Sequence, residues 1–230
     1  MPTIAIIDDT EKWISTAESQ IKYMEGYSVV VKLYDGIEFA NWCYHHHNLP
    51  DIALVDVEMP KMDGAQLTDF LTEHFPSIKV IAFSSYCENE TVEDMLACGA
   101  LGYASKLFNI KNLQEAIVSV SNGMVYIDPL LGIENINREQ LMAERRNQKH
   151  LLDKKGLTAK QKALIALYST SASQDEIAEA LSVSYKTVEN RIKGISKTLE
   201  VTSRLELTLK SIRNGYIKVA RIFKKDKQHR

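Results

Sequence analysis

Six side chains stand where short apolar runs end, and their types suit the handling of a phosphoryl group. Asp8 and Asp9 follow the run Thr3–Ile7, Asp56 follows Ile52–Val55, Ser84 and Ser85 close the run 80–83, and the run 102–104 leads into Lys106. Three carboxylates brought together repel one another unless a divalent cation sits among them, and an all-oxygen site with room for water and phosphate suits magnesium. Asp56 ends the central run and is placed to act as nucleophile, with Lys106 and Ser84 holding phosphoryl oxygens. Taken singly, an acid such as Asp9 or Asp63, or Ser85, could equally cap a helix. Acids and a lysine at the ends of alternate elements favour a site over a set of caps.

The elements that must position these groups follow from periodicity. The runs 3–7, 29–33, 52–55, 80–83 and 102–104 read as strands, and the segments 10–24, 37–44, 66–74, 91–98 and 113–120 as helices between and after them. In the first helix Trp13, Ala17, Ile21 and Met24 recur at helical spacing. Five strand–helix pairs imply an α/β fold with a five-stranded parallel, doubly wound sheet covered on both faces. In such sheets ligands bind at the carboxyl ends of the strands, where the six side chains stand.

Residues 1–123 resemble the receiver domain of bacterial two-component response regulators, a flavodoxin-like fold. The resemblance rests on Asp8-Asp9, on Asp56-Val57-Glu58-Met59-Pro60-Lys61-Met62-Asp63-Gly64, on Ser84, and on the stretch from Gly99 to Lys106. It implies that Asp56 is the phosphoacceptor and that Asp8, Asp9 and Asp56 hold Mg2+ with the backbone carbonyl of Glu58. It also implies that Lys106 contacts the phosphoryl group and that Ser84 and Tyr103 form a switch pair, Ser84 moving toward the phosphoryl group and Tyr103 turning inward. Many receivers follow this lysine with a cis proline that shapes the loop. Leu107 stands there instead, which leaves the geometry of the loop open. His45-His46-His47 point in three directions from a helix end and read as a solvated terminus, not as a metal site.

Charge divides the chain. Residues 1–123 carry 7 basic and 18 acidic residues, whereas residues 124–230 carry 21 basic and 12 acidic. An acidic half suits cations, and a basic half suits a polyanion such as nucleic acid. Asn122-Gly123 breaks the first domain, and residues 124–156 read as a linker, partly helical, with 124–129 extended. From Leu157 to residue 223 the pattern is all helical. Ser173-Gln174-Asp175-Glu176 is a capping box, Leu181-Ser182-Val183-Ser184 a tight turn, and Ser184 caps a helix whose Val188, Ile192, Ile195 and Leu199 share one face. Its other face offers Lys186, Thr187, Glu189, Asn190, Lys193 and Lys197 to a major groove. Residues 224–230 read as a basic solvated tail.

Leu157-Thr158, Glu176-Ile177-Ala178, the stretch 184–188 and Ser203-Arg204 resemble the LuxR-type DNA-binding domain. Gln161 replaces the glutamate usual after the Leu-Thr pair, and Glu189 sits where a base-reading lysine is frequent. A receiver joined to such a domain resembles a response regulator of the NarL/FixJ type. That resemblance implies a regulator, not an enzyme, phosphorylated on Asp56 by a sensor histidine kinase and binding double-stranded DNA as a homodimer through a final helix at 205–214.

Composition agrees with this reading. An apolar fraction of 45% gives each half material for a core. The start lacks a basic leader, no stretch offers 18 uncharged apolar residues, and Cys43, Cys87 and Cys98 show no metal-ligand spacing, so a cytoplasmic protein is expected, with no membrane contact. Two rivals remain open. One is a DNA-binding regulator that never uses its phosphoryl site. The other is a magnesium-dependent phosphatase, which needs a second acid two residues after its nucleophile, where Glu58 stands.

Overall fold

The computed structural model describes residues 1–107, 110–133, 136–152, 157–170, 172–213 and 216–217, without the side chains of residues 110, 148–152, 159 and 213. The expected tail at 224–230 and the end of the linker at 154–156 lie outside the described residues.

Strands β1 (Thr3–Ile7), β2 (Ser28–Leu33), β3 (Ile52–Val55), β4 (Lys79–Ser84) and β5 (Gly102–Ser105) form one parallel sheet, and a sixth short strand, β6 (Tyr126–Ile127), extends its edge. The order is β2-β1-β3-β4-β5-β6, so the chain leaves β1 in opposite directions and opens a crevice beyond β1 and β3. Ile7 stands opposite Val55, and Ser84 opposite Ser105, so β1 ends level with β3 while β4 and β5 end together two residues further on. The sequence shows β6 only as an extended segment. It joins the sheet because Gly102 and Tyr103 offer it a free edge.

Side chains alternate across the pleat. Ile4, Ile6, Leu54 and Phe83 face helices α1 (Glu11–Ile21) and α5 (Ile110–Ser121). Ala5, Ile7, Val55 and Ala82 face α2 (Gly36–His45), α3 (Gly64–His74) and α4 (Asn89–Cys98). In α1 the buried stripe is Ile14, Ala17 and Ile21, one residue round from the expected one. Trp13 is only half-buried and meets Phe83 edge-on, while Met24 lies past the helix end.

Much of the linker is a helix, α6 (Arg138–Leu152), laid against α4. Arg138 donates to the carbonyls of Ala100 and Gly99 at 2.6 and 2.7 Å, and the buried Arg145 pairs with Asp69 at 2.8 Å. Four further helices follow: α7 (Ala159–Tyr168), α8 (Gln174–Ala180), α9 (Tyr185–Leu199) and α10 (Arg204–Arg213). Gln161 completes a capping box with Thr158, serving the helix start as a glutamate would. Ser173 and Glu176 form the same device on α8, and Ser184 caps α9. No helix among the described residues is long and apolar enough to cross a membrane.

The two halves touch. Helix α8 packs on α2, and α7 on α3. Lys61, in the loop between β3 and α3, places Nζ 2.7 Å from Glu176 Oε1 and 3.3 Å from Asp35 Oδ2. The other carboxylate oxygen of Glu176 accepts the Ser173 amide of its own helix cap. His45 Nε2 lies 3.2 Å from Ser182 Oγ, and His46 stacks on Trp42, so these neighbouring histidines diverge as expected.

Candidate functional site

Asp56 leaves β3 with its amide bonded to the Ile7 carbonyl at 2.9 Å, which ties it to the end of β1. Its Oδ1 accepts the Val57 amide at 2.8 Å and the Lys106 ammonium at 2.9 Å. The same ammonium lies 2.6 Å from Asp8 Oδ2. Lys106 is held at its root by its own amide, which donates to the Ser84 carbonyl at 2.8 Å. Its side chain is 3% exposed, and its Nζ lies 5.5 Å from the centre of the Trp13 ring. Gly64 is required where the loop closes: a Cβ there would come within 2.2 Å of the Asp56 carbonyl oxygen.

Asp8, Asp9 and Asp56 each offer an oxygen within 4.8 Å of the others, at an open cleft of about 520 Å³ that Thr10, Trp13, Glu58, Ser85 and Tyr86 help to line. Burial pushes the Asp56 carboxyl up to about 6, with Lys106 opposing the rise and Asp8 adding to it. Burial likewise raises Asp8, again against Lys106. One ammonium among three carboxylates leaves an excess of negative charge, and the donors are all oxygen. The residues present therefore fit a hard divalent cation.

This shift has a consequence for stability. The folded state holds the Asp56 proton more tightly than the unfolded chain, so the contribution of this group is largest below pH 3.8 and is lost as pH rises through about 6. In magnesium-free buffer, Asp56→Asn is expected to stabilise the protein at pH 7.5 by roughly 1–3 kcal/mol, with little gain at pH 4. Urea titrations at the two pH values measure this, and an equal effect at both would contradict it.

The other sequence-derived residues lie as follows. Ser84 is fully buried and its hydroxyl accepts the Tyr86 amide at 3.2 Å; Ser85 is the serine that lines the cleft. Tyr103 points inward: its ring is fully buried, and its hydroxyl donates to the Tyr86 carbonyl at 2.5 Å. The pleat explains this, since Tyr103 stands opposite Ala82, whose small side chain leaves room on the α2–α4 face. Glu58 lines the cleft, and its carboxylate accepts the Tyr86 hydroxyl. Sequence reasoning missed Tyr86 and Trp13. Trp13 carried a signal in being a bulky residue one turn after Asp9; Tyr86, on an irregular segment, carried none.

On α9, Val188, Ile192, Ile195 and Leu199 are buried, which turns Lys186, Asn190, Lys193 and Lys197 to solvent. Thr187 is half-buried and serves the Ser184 cap. Glu189 lies between Lys186 at 2.7 Å and Lys193 at 2.6 Å.

Residues 4–118 match the family described as response regulator receiver domain, and residues 155–211 that described as bacterial regulatory proteins, luxR family. The transcriptional regulatory protein DegU of Brevibacillus brevis is 30% identical over 227 residues, covering 94% of this chain and 95% of the relative. The response regulator protein VraR of Staphylococcus aureus is 27% identical over 172 residues, covering 75% of this chain and 78% of VraR. Among solved structures, the RcsB response regulator of Salmonella typhimurium shares the fold at 20% identity, with a TM-score of 0.53 over 91% of this chain and 98% of that one. With a strand-end acidic cluster in one half, a helix-turn-helix in the other and both matched in this order, the chain belongs to the response regulators of the NarL/FixJ type.

Proposed function

We propose that Asp56 accepts a phosphoryl group from the phosphohistidine of a sensor kinase, and that this acceptance controls the binding of α9 to double-stranded DNA. The observation that carries the reading is the Lys106 ammonium joined to both Asp56 and Asp8 at the mouth of an acidic cleft. A carboxylate oxygen of Asp56 forms the new bond to phosphorus, the bond from phosphorus to the donor imidazole breaks, and Lys106 is placed to follow a phosphoryl oxygen. Asp8, Asp9 and Asp56, with the Glu58 backbone carbonyl, would hold Mg2+, which offsets phosphoryl charge when bound. The product adds about −1.5 to −2 units of charge at neutral pH.

That charge arises on the loop that also carries Lys61, the residue bridging to Glu176 of the DNA-binding half. We assign to this bridge the link between the two halves, biased by phosphorylation toward release or toward dimerisation. Helix α10 exposes Leu205, Leu209 and Ile212 at helical spacing, a stripe suited to a second copy. On α9, Lys186, Asn190, Lys193 and Lys197 are assigned to phosphates and base edges, with Thr187 at the helix start and Glu189 among them. Cys43, Cys87 and Cys98 form no disulfide, which fits action in the cytoplasm. The phosphatase reading is disfavoured because the Glu58 carboxylate is already engaged by Tyr86.

Acetyl phosphate and magnesium, added to the full chain beside Asp56→Asn, test the proposal. Labelling that depends on Asp56 and tightens self-association or binding to pooled genomic DNA supports it. DNA binding indifferent to labelling would leave the DNA-binding regulator and remove the phosphoryl control.

A further inference from the structure

The charged group least explained by the site lies outside the expected receiver boundary. Asp128 follows β6 and is fully buried. Its amide donates to the Tyr103 carbonyl at 2.9 Å, fixing it beside β5. Its carboxylate then reaches two places on the β5–α5 connection. Oδ2 accepts the Ser105 amide at 3.3 Å, and Oδ1 accepts Asn112 Nδ2 of α5 at 2.6 Å. Oδ1 also accepts the Leu130 amide at 3.0 Å, within the turn that follows β6.

These contacts bracket the residue that does the chemistry. Ser105 precedes Lys106, and Asn112 lies in the first turn of α5, so one carboxylate joins both ends of the loop that Lys106 begins. Leu107, the next residue, is 62% exposed, so packing holds it weakly. Its amide turns back to Ser105 Oγ at 3.1 Å, and Ser105 Oγ also lies 3.3 Å from Cys87 Sγ on the β4–α4 loop. Ser105 is thus a junction for three segments around the cleft, and Asp128 holds its amide.

We infer that Asp128 is a positioning residue for phosphoryl transfer, fixing Lys106 through Ser105 and Asn112. The inference rests on the assignment of Asp56 as phosphoacceptor. It makes the segment after α5 part of the reacting apparatus. A cap for the turn 129–131 alone would need only the Leu130 contact, and the two roles separate by substitution. Asp128→Ala removes the acceptor from Ser105, Asn112 and Leu130 together. Asn112→Ala breaks only the tie to α5 and leaves the Leu130 amide served.

The test is the rate of Asp56 labelling in the full chain at saturating magnesium, followed over acetyl phosphate concentration. Asp128→Ala is expected to lower the maximal rate about tenfold and to leave the half-saturating concentration unchanged, as a displaced ammonium would. Asn112→Ala, which keeps the Leu130 cap, should lower the maximal rate in the same way with a smaller loss. A folded Asp128→Ala that labels at the wild-type rate overturns the inference. Should Asp128→Ala fail to fold, a wild-type rate in Asn112→Ala also overturns it. If the wild-type chain itself is not labelled, the phosphoacceptor assignment falls and this inference with it. Labelling of the wild type with unaffected variants removes this inference alone.

Discussion

Lys106→Met should slow the labelling of Asp56 by acetyl phosphate about 10²–10³-fold, the loss typical when a preorganised charge stabiliser is removed from a dry site. The ammonium is 3% exposed and within 2.9 Å of two carboxylates, so water cannot replace it in kind. The same change leaves Asp8 and Asp56 as buried acids without their counter-charge. Removing one member of a buried ion pair costs about 3–5 kcal/mol, less whatever the acids recover by taking up protons. Magnesium should therefore raise the melting temperature of Lys106→Met by more than that of the wild-type chain. Melting curves with and without the cation, beside the labelling rate, measure both effects. A variant that labels normally would remove Lys106 from the reaction.

Arg204→Ala should unfold or loosen the DNA-binding half while sparing the receiver. The guanidinium donates to the carbonyls of Tyr168, Thr170 and Ala172 at 2.7, 2.6 and 2.5 Å, and lies 4.7 Å from the centre of the Tyr168 ring. It joins the start of α10 to the turn between α7 and α8, so alanine strands three carbonyls at once. About 3 kcal/mol is a fair magnitude for such a loss, since each stranded acceptor costs about 1–3 kcal/mol before water returns. Lysine cannot span the three acceptors with one ammonium, so Arg204→Lys should rescue little. DNA binding should fall while Asp56 labelling persists. If both variants bound DNA as the wild-type chain does, the guanidinium would be a surface ornament of the fold.

The residues that reach the cleft from strand ends were legible in the sequence, because an apolar run fixes where a strand stops and the side chain after it must stand at the carboxyl edge. Asp8, Asp56 and Lys106 are placed in this way. The stripe of α9 was equally plain, since four apolar positions share one face. What the sequence concealed depends on partners far along the chain. Strand β6 has two residues and exists only because β5 offers an edge, so no periodicity marks it. Asp128 looks like an ordinary turn former, and its burial comes from Tyr103, Ser105 and Asn112 surrounding it. The inward setting of Tyr103 reflects the small residue opposite it, a matter of register and not of spacing.

Glu176 divides its two carboxylate oxygens between a duty inside its own helix and a contact across to Lys61. The start of α8 is therefore complete whether or not the receiver is docked. The reading domain need not refold on release, and the grip between the halves can be weakened or strengthened at position 61 without touching the fold that meets DNA. Sensitivity and recognition are thereby separable traits: a lineage could retune how readily this regulator responds while leaving unchanged what it reads.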